Sequence, residues 1–192
     1  MWLETDGGAG PALGLHLGMS GRIDVDRPPD PRGRDSFAIA FADGGRLALR
    51  DVRRLGRAVL DPDLGALGPD AAEVGRAAFR ARVGRGAAPT KARIMDQSVI
   101  AGVGNLLADE ALWQARISPL RPAGDLAPEE LDELRRRIRA AVRRAERLGG
   151  VHTGVLVPHR RPGAACPRCG ADLVRATVGG RTTWWCPREQ AG

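Results

Sequence analysis

Near the C-terminus, three cysteines and a carboxylate stand at the spacing of a metal site. Cys166 and Cys169 form a C-x2-C pair, Cys186 opens a second pair, and Glu189 fills the fourth position. Thiolates at this spacing close a tetrahedral zinc site on a β-hairpin. The expected cofactor is one zinc ion on Cys166, Cys169 and Cys186, with Glu189 or water as fourth ligand. A carboxylate in place of a fourth thiolate weakens such a site. The alternative is a hairpin held without metal by Trp184, Trp185 and local packing. With all the cysteines clustered here, they read as metal ligands in a reducing compartment rather than as a disulfide framework.

Two further residues have types that do chemistry. Of the 30 lysines and arginines, only Lys91 is a lysine. GC-rich coding accounts for arginine wherever a cation suffices, and it leaves Lys91 as a position that an amine fills differently. An amine serves as a compact charge or as a nucleophile, and a guanidinium does not do the latter. Asn105 follows Gly102 and Gly104 where a helix begins. Free backbone N–H groups and an amide at a helix start suit an anion such as phosphate.

The elements that must position these residues are legible in outline. Residues 91–99 place Ile94, Met95 and Val99 at helical spacing, and residues 105–113 continue as a second helix beyond the glycine-bearing turn. Helices are also expected over 70–83 and over 128–148, the latter with an apolar stripe of Leu131, Leu134, Ile138, Val142, Ala145 and Leu148. Ahead of them, residues 12–17, 22–25, 36–41 and 46–50 read as strands, the last two flanking the hairpin signal Asp43-Gly44-Gly45. Residues 175–178 and 182–185 would form the hairpin that carries the cysteines. Residues 151–165 lack periodicity and include His152 and His159, which read as exposed loop histidines.

The fold class is thus α+β: a partial N-terminal β-sandwich, a helical domain and a zinc-ribbon-like hairpin. The expected boundaries are 1–67, 68–150, a linker at 151–165, and 166–192. The net charge of +7 favours an anionic partner. No signal peptide or membrane-spanning stretch is evident, so a cytosolic, monomeric protein is expected.

The stretch QSVIAGVGNLLADEALWQARISP resembles the helix–two-turn–helix signature of the formamidopyrimidine-DNA glycosylase and endonuclease VIII family, which excises oxidised bases from DNA. LHLGMSGRI, DVRRLGRAVL and the cysteine module resemble further motifs of that family. The resemblance runs from Leu15 to Gln190. It implies a partner, double-stranded DNA with a damaged or abasic nucleotide. It also implies that Asn105, Arg181 and Lys91 contact backbone phosphates around the flipped nucleotide. Met19 would enter the space that nucleotide vacates, and Arg53 would fill the space beside it and read the orphaned base. Leu55 stands where the family often has an aromatic wedge. The linker is shorter than the loop with which catalytic members handle the flipped base.

The resemblance also implies chemistry. Family members use an N-terminal proline as nucleophile, a neighbouring glutamate for protons and a hairpin lysine, giving base excision and strand cleavage. Position 2 here is Trp2, and nothing aligns Glu4 with the family's glutamate. Three readings follow: a piece of a longer glycosylase and abasic-site lyase, a non-catalytic paralogue that binds damaged DNA, or a zinc-ribbon protein that binds RNA or a protein partner. Lys91 is the candidate substitute amine.

Overall fold

Short strands with alternating apolar residues fill the first third of the chain, and helices with apolar stripes fill the middle. The computed structural model describes residues 2–3, 10–18 and 21–191, with the side chains of Trp2 and Leu3 left aside. Met19 and Glu4 lie outside the described residues. The chain divides into two compact units, Met1–Leu64 and Gly65–Gly192.

In the first unit, β1 (Trp2–Leu3), β2 (Leu13–His16) and β6 (Arg57–Leu60) form one antiparallel sheet in the order β1-β2-β6. A second contains β3 (Arg22–Val25), β5 (Arg46–Arg50) and β4 (Asp35–Ala40), with β5 central. This is the partial sandwich expected. Leu13 and Leu15 alternate inward along β2, while Ala48 and Leu49 of β5 are fully buried. The β4–β5 turn falls at the expected place, with Asp43 Oδ1 accepting the Gly45 N–H at 2.9 Å. On the polar side, Asp35 pairs with Arg46 at 2.8 Å and Arg50 at 2.9 Å.

The loop after β5 is built on Asp51, which is fully buried. Its carboxylate accepts N–H groups from Arg53 at 3.1 Å and from Leu55 and Gly56 at 2.6 Å each. The backbone is therefore fixed while the Arg53 side chain is exposed and Leu55 is 48% exposed. Gly18 packs on the same loop: a Cβ there would lie 2.9 Å from Leu55 Cβ.

The second unit contains α1 (Arg76–Val83), α2 (Thr90–Met95), α3 (Asn105–Ala115), α4 (Pro128–Arg147) and the hairpin of β7 (Val174–Val178) and β8 (Arg181–Trp185). Phe79, Ile94, Leu112, Leu134 and Ile138 join in one apolar core. Two expected helices are shorter than their periodicity suggests. The helix expected over 70–83 begins only at Arg76, because Asp70 turns back to accept the Ala72 N–H at 2.7 Å and Gly75 takes the N-cap. The helix expected over 91–99 stops at Met95, where Asp96 bonds the Ser98 N–H at 2.9 Å and its hydroxyl at 2.6 Å. α4 matches its expected span and starts at Pro128, with Glu130 accepting the Ala127 N–H at 2.8 Å. Among the described residues, no helix is long and apolar enough to cross a membrane.

The ribbon belongs to the same compact unit as the helices. Trp113 of α3 and Leu156 pack with Cys166 and Cys186 in a second apolar cluster. The aperiodic stretch before it is ordered as two 3-10 turns, Val151–Thr153 and Val157–His159.

Replacing Asp51 with Ala leaves the Leu55 and Gly56 N–H groups without their acceptor. The expected cost is about 1–3 kcal/mol to the first unit, read as a lowered thermal midpoint of its unfolding transition. An unchanged midpoint would show that the loop is held by other contacts.

Candidate nucleic-acid interface and metal centre

The turn between α2 and α3 is set by glycine and by one glutamine. Gly102 sits at φ +95°, a conformation side chains rarely adopt. Gln97 spans the turn: its Oε1 accepts the Gly102 N–H at 3.0 Å, and its Nε2 donates to the carbonyls of Met95 at 3.0 Å and Val103 at 3.1 Å. Gly104 is the N-cap of α3, and the space where its Cβ would stand is open. The first N–H groups of a helix have no intrahelical partner. Asn105 opens α3, and its Oδ1 is buried with no hydrogen-bond partner among the described residues. Free N–H groups facing open space suit a phosphate, and the donor that Asn105 can add to them is its Nδ2, since its Oδ1 and the phosphate oxygens are both acceptors.

Arg181 opens β8 beside the Gly179-Gly180 turn, and its side chain is exposed. What holds this hairpin is a buried charge network centred on Asp109, one turn beyond Asn105 on α3. Lys91 Nζ lies 2.6 Å from Asp109 Oδ1, with both side chains fully buried. Asp109 Oδ2 accepts the Arg160 Nε–H at 2.8 Å and the Trp184 backbone N–H at 3.1 Å. Lys91 also donates to Thr183 Oγ1 at 2.7 Å and to the Thr182 carbonyl at 3.3 Å. The hairpin tip closes on α2, where a Cβ on Gly179 would meet Ala92 Cβ at 3.0 Å.

Lys91 therefore differs from both expectations placed on it. Burial pushes its ammonium below the usual lysine pKa, against the opposing pull of Asp109. Yet a fully buried side chain already bonded to Asp109, Thr182 and Thr183 reaches neither a phosphate nor a sugar carbon. It is a tie between α2, α3 and the ribbon.

Glu110, next to Asp109, performs the equivalent task for the preceding segment. Its carboxylate accepts N–H groups from Val155 at 3.1 Å and Leu156 at 2.7 Å, and from Gln114 Nε2 at 3.0 Å. Gly154 packs closely here, since a Cβ would stand 2.7 Å from Glu110 Oε2. The periodicity of α3 places Glu110 on the helix without disclosing this role, and Gln97 and Asp109 are equally silent. The available signal is an acidic pair inside an otherwise apolar run.

Cys166, Cys169 and Cys186 come together, with every Sγ within 4.8 Å of the others. Sulfurs at the corners of a tetrahedron with bonds of about 2.3 Å stand about 3.8 Å apart, and Cys169 and Cys186 are 3.5 Å apart. Hydrogen-bond donors converge on the sulfurs: Trp113 Nε1–H on Cys166 at 3.3 Å and the Glu189 N–H on Cys186 at 3.4 Å. Burial opposes the Cys166 thiolate, but donation by Trp113 and by the N–H groups of Arg168 and Cys169 brings its pKa down to about 7. Burial carries Cys186 up to about 11. Three soft donors so disposed fit zinc. Glu189 does not join them. Its Oε2 lies 3.1 Å from Arg168 Nη1 and 3.4 Å from Arg116 Nε, so two cations hold this carboxylate away from the sulfurs.

Three family models match: the formamidopyrimidine-DNA glycosylase N-terminal domain over residues 1–58, the H2TH domain of that glycosylase over 66–156, and the zinc finger found in FPG and IleRS over 163–188. The chain is 40% identical to the formamidopyrimidine-DNA glycosylase of Roseiflexus sp. over 98% of its own length and 77% of that protein's. The corresponding values for the Chloroflexus aurantiacus protein are 38%, 93% and 72%. Its structure is similar to the MutM (Fpg) protein of Thermus thermophilus, with a TM-score of 0.77 and 34% identity over 95% of this chain and 76% of that one. A Lactococcus lactis Fpg complexed with abasic-site DNA gives a TM-score of 0.80 at 27% identity, over 96% and 76% of the two chains. The chain belongs to the formamidopyrimidine-DNA glycosylase family, and its ribbon matches that family's zinc finger, in which Cys166, Cys169 and Cys186 are brought together.

Asp109→Ala strands the buried Lys91 charge, and the second unit should lose about 3–5 kcal/mol in urea denaturation. A loss below about 1 kcal/mol would show that the network is dispensable. Borohydride reduction in the presence of abasic-site duplex should leave the peptide containing Lys91 unmodified. An adduct mapped to Lys91 would contradict its burial.

Proposed function

We propose that this chain recognises duplex DNA around a damaged or abasic nucleotide. Asn105 and the first N–H groups of α3 hold one stretch of backbone phosphate, and Arg181 at the hairpin tip holds another. The observation that carries this reading is the uncapped, open start of α3 at Gly104 and Asn105, on the same helix whose Asp109 anchors the Arg181 hairpin. Support comes from relatives named formamidopyrimidine-DNA glycosylases and from similar structures solved with abasic-site or Fapy-dG-containing DNA. Contacts of this kind position a duplex without reading its sequence.

Arg53 and Leu55, on the loop that Asp51 stiffens, suit insertion into a duplex whose nucleotide has left the stack. Leucine wedges by shape and apolar contact, without the stacking an aromatic ring would add. Met19 shares this proposed role by resemblance. Burial of the Lys91 side chain against Asp109 favours a structural role for it over that of a nucleophile. Recognition of damaged DNA is thus the proposed activity, with no cleavage step placed on Lys91. If zinc is bound, it supplies structural cross-linking of the ribbon, while Trp113, Gln190 and Leu156 hold that ribbon against the helices.

The test is equilibrium binding to abasic-site duplex, undamaged duplex and single-stranded RNA of matched length. We expect preference for the abasic duplex, weakened about tenfold by Asn105→Ala and by Arg181→Ala, as loss of one charge-assisted hydrogen bond implies. Arg181→Ala should also lower the salt slope by about one. Equal or tighter binding to RNA, or affinity unchanged in both variants, would overturn the reading.

A further inference from the structure

The cysteine cluster has three sulfurs, and the residue at the fourth position of the motif is held elsewhere. Arg168 fixes the Glu189 carboxylate at 3.1 Å, and Arg116, at the left-handed C-cap of α3, approaches it at 3.4 Å. Arg168 is itself immobilised. Its guanidinium lies 4.1 Å over the Trp113 ring and donates to the Trp113 carbonyl at 3.2 Å. The same Trp113 donates its indole N–H to Cys166 Sγ. Turning Glu189 toward the sulfurs would break two ion pairs.

The backbone does the opposite of the side chain. The Glu189 N–H bonds Cys186 Sγ, and Gln190 closes the turn: its Oε1 accepts the Cys186 N–H at 2.9 Å and its Nε2 donates to the Ile117 carbonyl at 2.9 Å. The knuckle thus keeps its shape with a carboxylate at its last position, while that carboxylate serves the α3–ribbon contact. Cys169 is half-buried where the other two cysteines are buried, which makes its side the less covered one.

We propose that the metal centre of this chain has three protein ligands, Cys166, Cys169 and Cys186, and an open fourth coordination position accessible to a small exogenous thiol. Structural zinc sites are closed by four protein ligands, whereas a site with three keeps water in the fourth position. A thiol entering there loses its proton to solvent as it displaces the water and binds as thiolate, with no change in oxidation state. Glu189 is a positioning residue for the α3–ribbon junction, not a ligand. The inference stands on the junction of the ribbon with α3 and does not depend on the DNA-binding reading.

Cobalt(II) is the probe, because its thiolate charge-transfer absorbance reports ligand number directly. The intact protein should bind one equivalent with a three-thiolate spectrum, and 2-mercaptoethanol should raise the charge-transfer absorbance by about a third, the ratio of four thiolates to three. Glu189→Gln should leave that spectrum in place, with cobalt affinity changed by no more than about twofold, since a group that is not a ligand contributes no metal bond. Glu189→Cys should show the four-thiolate spectrum without added thiol, bind at least about tenfold more tightly, and stop responding to 2-mercaptoethanol. A spectrum altered by Glu189→Gln would overturn the proposal by making Glu189 a ligand. Insensitivity of the intact protein to 2-mercaptoethanol, or failure to bind cobalt, would overturn it as well.

Discussion

The second unit depends on one buried carboxylate. Asp109 lies in the middle of a helix whose other buried residues, Glu110 apart, are apolar, and groups from three other segments converge on it or on its partner Lys91. An isolated charge in such surroundings would cost several kcal/mol. Paired with Lys91 and Arg160 and given the Trp184 N–H, it becomes the point at which α2, α3, the 151–165 segment and the ribbon share one register. A buried pair of this kind contributes little net stability compared with apolar packing, but it tolerates few alternative arrangements. That restriction matters here, because a helix start and a hairpin tip must be held at a fixed spacing if they are to meet successive phosphates.

The same logic repeats at smaller scale. Glu110 holds the segment before the ribbon by its backbone N–H groups, Gln97 holds the turn before α3, and Asp51 holds the loop that presents Arg53 and Leu55. In each case a polar side chain fixes main chain, and the side chains proposed to meet DNA are left outward. The residues proposed to meet DNA are carried by loops and helix ends, while the residues that fix their main chain are their neighbours in space.

Much of this architecture is legible in the residues. The C-x2-C pair, the Gly102–Asn105 turn, the stripe of α4 and the Asp43-Gly44-Gly45 hairpin announce their elements through spacing and glycine placement. Lys91 is conspicuous as the sole lysine, but uniqueness says nothing about burial, and its partner Asp109 is distant enough in sequence that no periodicity connects them. Glu189 presents the converse problem. Its position in the motif suggests a ligand, and only the placement of Arg168 against Trp113 shows why it is drawn away. Helix ends at Arg76 and Met95 likewise follow from Asp70 and Asp96 bonding locally, which apolar spacing does not register.

The central claim is that the start of α3 and the tip of the ribbon hairpin together contact DNA. Hydrogen–deuterium exchange on the intact protein, with and without abasic-site duplex, tests it most directly. The account predicts slowed exchange at the amides of residues 104–107 and 179–182 in the complex, with the α4 surface unchanged. Binding that leaves both segments unprotected, or protects α4 alone, would contradict it.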